Sequence, residues 1–301
     1  MSIHVAYLTK MYGEQAAVNQ ISFQANKSEI TGFLGSNGAG KTTTMKILTC
    51  FIPQSSGTAK VCGFDTREDS MEVRKRIGYL PENNPLYKDM YVKEYLWFIA
   101  GLHRLKSPKN LIHQMIERTG LTREKHKQIG SLSKGYRQRV GLAQAMLHNP
   151  DVLILDEPIS GLDPNQLVEI RQLIRDLGKE KTLIFSSHIM QEVQALCDRV
   201  VIINKGRLVA NDTIDNLQKQ VSIESKIDVA FNKAVPIQKL EAIKTVLSVE
   251  KKGGNKYLIR AEADIDIRPD LFRFAAANDY ILLELSKQKP SIEDIFQKLT
   301  K

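Results

Sequence analysis

Over the first two thirds of the chain, short apolar or β-branched runs alternate with longer segments of helical period. That order predicts an α/β domain with a central parallel sheet. Glu29 to Leu34 reads as a strand entering a glycine-rich loop, and Thr42 to Phe51 as the helix leaving it. Asp151 to Leu155 and Thr182 to Ser186 are nearly continuous apolar runs, the pattern of strands covered on both faces. From Leu80 to Asn149 the period is mostly helical, which predicts a helical subdomain inserted into the α/β core. Asp163 and Pro164 then suit the cap and first turn of another helix. Its apolar face is Leu167, Ile170, Leu173, Ile174 and Leu177, and Gly178 is expected to end it.

The texture changes after about residue 215. Strand 222–231, helix 236–246, strands 247–252 and 256–262, helix 269–278 and strand 280–286 follow in the order βαββαβ, a ferredoxin-like pattern. Two domains are therefore expected: an α/β domain over residues 1–215, with its helical subdomain at about 80–149, and a small α+β domain over 221–301. The polar stretch Gln218-Lys219-Gln220 reads as the link, and Pro290 as the start of a last helix bearing Ile292, Ile295, Phe296 and Leu299.

Length agrees with this division, since 301 residues exceed what one core usually serves. With 42% hydrophobic and 26% charged residues the chain reads as globular. No apolar run approaches the roughly 18 to 20 residues that span a bilayer. Met1 to Tyr12 resembles an amphipathic strand rather than a secretory signal, so a cytoplasmic protein is expected. Cys50, Cys62 and Cys197 lack metal-site or disulfide-framework spacing. The net charge of +9 is compatible with nucleic acid, acidic lipid or phosphate-rich ligands. Residues 221–301 hold 14 Lys+Arg against 12 Asp+Glu, so most of the excess lies in the larger domain.

Candidate chemistry narrows the choice. Gly35-Ser36-Asn37-Gly38-Ala39-Gly40-Lys41-Thr42 fits the phosphate-binding P-loop and stands between a predicted strand and a helix. Its glycines allow backbone N–H groups to converge on phosphate oxygens, and the helix adds its positive end. Lys41 is assigned to the β and γ phosphates and Thr42 to Mg²⁺, with Ser36, Asn37, Gly38, Ala39, Gly40 and Thr43 completing the cradle. Val152-Leu153-Ile154-Leu155 carries Asp156 and Glu157 to a strand end, where ligands bind in such sheets. Asp156 suits Mg²⁺ and Glu157 the attacking water. His188 ends the apolar strand through Ser186-Ser187, where it can reach a γ-phosphate.

The order of these motifs, with Leu132-Ser133-Lys134-Gly135-Tyr136-Arg137-Gln138 before Leu155-Asp156-Glu157-Pro158, then Ser160-Gly161-Leu162-Asp163 and His188, resembles the ATP-binding subunits of ABC transporters over residues 1 to about 215. The resemblance implies ATP and Mg²⁺ as cofactors, with adenine stacked on Tyr12, Val18 near the sugar, and Asp163 in the nucleotide set. It also implies that Ser133 and Gly135 face the ATP of a second ATPase subunit, so hydrolysis needs a head-to-tail dimer. Membrane-spanning subunits are the implied partners, no nucleic acid is expected, and the location is the cytoplasmic face of the inner membrane.

Three departures stand out. Lys134 and Tyr136 replace Gly and Gln of the signature, Glu82 in Tyr79-Leu80-Pro81-Glu82 takes the place of the usual Gln and is assigned to the metal, and Ile159 alters the loop after Pro158. The C-terminal part resembles the tail domain of exporter-type subunits. Residues 79–87, 132–140 and 188–193 look more narrowly like the subgroup associated with bacterial gliding motility. The competing class is a soluble ABC ATPase acting on ribosomes or nucleic acid.

Overall fold

The structure, a computed structural model, describes residues 2–221, 224–262, 265–288 and 291–300. Two compact units divide the chain, Met1–Ile214 and Asp215–Leu299.

In the first unit, β1 (Ile3–Tyr12) and β2 (Gln15–Ala25) form an antiparallel hairpin. β3 (Ile30–Leu34) follows, all five residues buried, and leads through the glycine loop to α1 (Lys41–Leu48). β4 (Ser56–Val61) and β5 (Phe64–Asp65) extend the hairpin into a four-stranded antiparallel sheet of order β2-β1-β4-β5. After α2 (Ser70–Arg76) and β6 (Ile77–Leu80) come three helices, α3 (Val92–Leu102), α4 (Pro108–Arg118) and α5 (Lys134–Met146). These share their own apolar core, including Leu96, Ile112, Ile116 and Val140, so the inserted helical segment is a packing unit in its own right.

The chain returns as β7 (Val152–Asp156), α6 (Pro164–Glu180), β8 (Thr182–Ser187), α7 (Met190–Leu196), β9 (Arg199–Asn204) and β10 (Arg207–Thr213). The central sheet has the order β10-β9-β3-β8-β7-β6. Only the β9–β10 pair is antiparallel. β3, β8 and β7 are neighbours, so their carboxyl ends bring the glycine loop, the Ser186–His188 stretch and the Asp156–Glu157 pair together. Every residue of β7 and β8 is buried, as the sequence pattern requires, while Asp151, which opened the first predicted run, is exposed.

Gly178 corrects one expectation. It does not end α6, which runs on to Glu180; a Cβ there would come within 2.4 Å of the Ile30 side chain. Its role is close approach of helix to strand. The remainder of the predicted face holds, with Ile170, Ile174 and Leu177 buried.

The second unit carries α8 (Ile214–Val221), β11 (Glu224–Phe231), α9 (Ile237–Glu241), β12 (Val246–Gly253), β13 (Lys256–Glu262), α10 (Arg268–Ala277), β14 (Leu282–Gln288) and α11 (Ile292–Thr300). Its sheet has the order β12-β13-β11-β14 with every neighbour antiparallel, the arrangement of the βαββαβ motif. Two expectations change. Gln218 and Lys219, read as a link, belong to α8, where Leu217 and Gln218 are buried. The helix expected at 236–246 is only five residues long, because Thr245 adopts φ +76° and the chain enters β12 at Val246. Pro290 lies outside the described residues; Ile292 and Ile295 of the last helix are buried. The three cysteines are free thiols.

Candidate functional site

The glycine loop is fixed by hydrogen bonds within its own backbone. Ala39 N–H donates to Ser36 O at 3.1 Å, and Thr44 N–H and its hydroxyl both donate to Gly40 O at 3.0 and 2.9 Å. Gly40 sits at φ +108°, and a Cβ there would stand 2.5 Å from Ala17 O, so only glycine allows this path. The Lys41 ammonium folds back over the loop, donating to Gly35 O at 2.8 Å and Ser36 O at 3.3 Å. Burial lowers the Lys41 pKa, while the carboxylates of Glu157, Asp156 and Glu82, in that order, oppose the shift. A desolvated cation held by two loop carbonyls is a ready counter-charge for phosphate oxygens.

The acids occupy the end of β7. Asp156 is almost fully buried; Ser186 Oγ donates to its Oδ1, and Oδ2 has no hydrogen-bond partner. Glu157 turns into the left-handed region at φ +51°, a costly conformation for a side chain of this size. Its N–H is shared between Ser186 O and Ser186 Oγ, both at 3.2 Å. His188 Nδ1 lies 2.9 Å from Glu157 Oε2, although without hydrogen-bond alignment. Ile189 N–H donates to Ser187 Oγ at 3.0 Å and fixes the turn that presents His188.

A cleft of about 370 Å³ gathers much of the predicted set: Asn37, Gly38, Gly40, Lys41, Thr42, Thr43, Glu82, Glu157 and His188. Ala17, which sequence reasoning missed, completes its wall. Val18 is fully buried in the core, packed behind the glycine loop at Gly40, and it is its neighbour Ala17 that lines the cleft. Ala39 likewise turns its methyl into the core, and Ser36 contributes the carbonyl that holds Lys41. Tyr12 is 52% exposed at the end of β1, with Lys10 Nζ 5.4 Å from its ring centre. Ser133, Gly135 and Asp163 do not line the cleft. Ser133 caps α5 by accepting from Tyr136 N–H at 3.3 Å, and Asp163 caps α6 by accepting from Gln166 N–H at 2.9 Å.

The donor set fits a magnesium nucleotide. Thr42 and Glu82 line the cleft, and Asp156, whose Oδ2 has no partner, precedes the lining residue Glu157 and acts on Lys41, while no cluster of three or more His, Cys, Asp or Glu suited to a metal occurs among the described residues. Mg²⁺ is ordinarily held by one or two protein carboxylates, water and phosphate, and these oxygens are the candidates to hold it.

The parallel sheet and the cleft at its carboxyl edge define a P-loop nucleotide-hydrolysing protein. Residues 18–160 match the family described as ABC transporter. The chain belongs to the ATP-binding subunits of that family and is an ATPase. It is 36% identical to the bacitracin transport ATP-binding protein BcrA of Bacillus licheniformis, over 97% of this chain and 95% of that protein. It is also 32% identical to the linearmycin resistance ATP-binding protein LnrL of Bacillus subtilis (strain 168), over 97% and 96%. Among solved structures, an ATP-binding subunit of an ABC transporter superposes with a TM-score of 0.68 at 26% identity, covering 73% of this chain and 93% of that one. A dimeric bacterial ABC transporter cassette shares the fold at TM-score 0.65 and 22% identity, over 70% and 98%.

If Tyr12 stacks on adenine as the family resemblance implies, Tyr12→Ala is expected to weaken ATP affinity by about five- to a hundredfold, the scale of roughly 1–3 kcal/mol for stacking on one base, while leaving the rate at saturating ATP close to wild type. A contact made equally in ground and transition states changes KM alone. Steady-state kinetics decide the matter, and a fall in kcat would remove Tyr12 from the binding role.

Proposed function

We propose that this ATPase powers an exporter by closing as a head-to-tail dimer on two ATP molecules and reopening after hydrolysis. The observation that carries the reading is the convergence of Lys41, Glu157 and His188 on one cleft. Lys41, the loop N–H groups and Thr42 hold the phosphates; Glu157 takes the proton of the attacking water; His188, beside Glu157, orients the γ-phosphate. Thr42, Asp156 and Glu82 are the ligands available to Mg²⁺, which supplies charge neutralisation at the phosphates when bound. Ser133 and Gly135, on a helix end outside the cleft, are placed to complete the site of a second subunit, and Asp163 caps the facing helix α6. Closure is favoured by ATP because the nucleotide gains contacts from both subunits only in the closed state.

No helix among the described residues is long and apolar enough to cross a membrane, so the transport path is assigned to membrane-spanning partners, with this chain at the cytoplasmic face. An apolar groove of about 480 Å³, lined by Phe51, Tyr79, Leu102, His103 and His148 among others, suits a partner helix. Residues 82–96, which begin at the cleft residue Glu82, suit coupling to such a partner: Tyr87 and Tyr91 are 56% and 49% exposed, whereas Leu86 packs in the helical core. The cargo class favoured by the likeness, over 97% of the chain, to the bacitracin transport and linearmycin resistance proteins is an antibiotic. A second reading, gliding-motility transport, rests on the residues 79–87, 132–140 and 188–193 alone. Action on ribosomes or nucleic acid is not favoured, because the full-length relatives named above bear transport or resistance names.

Co-purification with membrane-spanning subunits tests the proposal. The expected result is a stoichiometric complex whose ATPase rate rises several-fold when the candidate cargo is added. A chain that never associates with membrane subunits, and whose turnover responds to RNA or DNA in a salt-sensitive way, would overturn it.

A further inference from the structure

Ser186 stands at the carboxyl end of β8, the strand lying between the one that feeds the glycine loop and the one that ends in the two acids. It is fully buried and paired in register with Asp156. A serine is out of character there, for every other side chain from Leu183 to Phe185 is apolar. A lone buried hydroxyl costs free energy unless its bonds are made. This one makes two of them. It donates to Asp156 Oδ1 and accepts from Glu157 N–H, which is also held by the Ser186 carbonyl.

Those two bonds reach different acids. With Oδ1 held, the Asp156 carboxylate cannot rotate freely, and the oxygen left without a partner is Oδ2. With its N–H held twice, Glu157 is kept at φ +51°, a conformation that persists only where the surroundings over-determine it. The hydroxyl thus has one position and two loads.

Resting on the assignment of Asp156 to the cation and Glu157 to the water, we infer that Ser186 is a positioning residue that fixes both carboxylates at once, setting cation affinity through Asp156 and the chemical rate through Glu157. Its hydroxyl is engaged by Asp156 Oδ1 and Glu157 N–H, so its role is positioning and not catalytic. Ser187, one residue on, spends its hydroxyl on the Ile189 N–H, so the two adjacent serines serve the acids and the histidine separately.

The test uses Ser186→Ala, with Ser186→Thr keeping the hydroxyl and Ser186→Cys keeping the volume without a strong donor. Mn²⁺ binding to the ATP-loaded protein is followed by electron paramagnetic resonance in a Glu157→Gln background, where turnover cannot intrude, and kcat is measured in the otherwise wild-type protein. For Ser186→Ala and Ser186→Cys the expected result is a kcat lower by roughly tenfold, the scale of one hydrogen bond to a charged group, and a weakened Mn²⁺ affinity, with metal-free ATP affinity unchanged. Ser186→Thr should restore both. Wild-type kcat and Mn²⁺ affinity in Ser186→Ala would overturn the inference. So would equal losses of metal binding, metal-free ATP binding and melting temperature in all three variants, the mark of a packing role. If Glu157→Gln alone kept full turnover, the underlying assignment of the base would fail instead.

Discussion

Glu157→Gln is expected to lower kcat by roughly a thousandfold, within the range for loss of a positioned general base, while ATP still binds. The substitution keeps the side-chain length and removes only the ability to take a proton. The geometry argues for a clean effect: the backbone of Glu157 is held by Ser186 rather than by its own side chain, so the loop stays in place when the carboxylate becomes an amide. Lys41 and the glycine loop are untouched, so the ground state forms. On the proposed mechanism the variant then accumulates as an ATP-dependent dimer, visible by light scattering with ATP and absent with ADP. Turnover within a few-fold of wild type would remove Glu157 as the base. Dimers that form equally with ADP would separate closure from the γ-phosphate.

Lys41→Ala should fail differently, losing affinity and rate together: ATP binding falls by roughly ten- to a hundredfold, as expected for charge-assisted hydrogen bonds, and kcat by at least another hundredfold, the scale of one lost transition-state donor. The ammonium is the buried cation near Glu157, Asp156 and Glu82, and without it no lysine or arginine lining the cleft offsets those carboxylates as a polyanion enters. A folding defect is not the cause. Burial disfavours the charged form of Lys41 in the folded protein, so its removal also relieves a desolvation cost, and the melting temperature should not fall in step with affinity. Isothermal titration beside a thermal melt separates the two. Intact ATP affinity in Lys41→Ala would show that the loop N–H groups alone hold the phosphates.

The glycine loop, the two acids and the buried strands were legible because their signals are local: glycine spacing marks the loop, and an unbroken apolar run ending in charge marks a central strand edge. What sequence misplaced depended on partners distant in the chain. Val18 and Ala17 differ by one residue, and in a strand one residue exchanges core for cleft; nothing in β2 itself says which face the loop approaches. Gly178 carries the same letter whether it ends a helix or lets one approach Ile30. In α8, buried Gln218 obscured the helical period, so a helix read as a link. Ser186 was visible as a polar residue closing an apolar strand, yet its meaning appears only when β7 lies alongside. Ser133 and Gly135 remain readings of a different kind, since the ATP they are assigned to is that of a second ATPase subunit.

The left-handed backbone at Glu157 has an evolutionary side. Glycine is the residue that relaxes such a conformation, so a search of this position for thermal resilience alone would discard the very carboxylate to which the proposed mechanism assigns the attacking water. Stability and turnover pull in opposite directions at a single φ angle. Selection for the working enzyme therefore has to keep the less comfortable residue and find its margin of stability elsewhere, in the packed strands behind it.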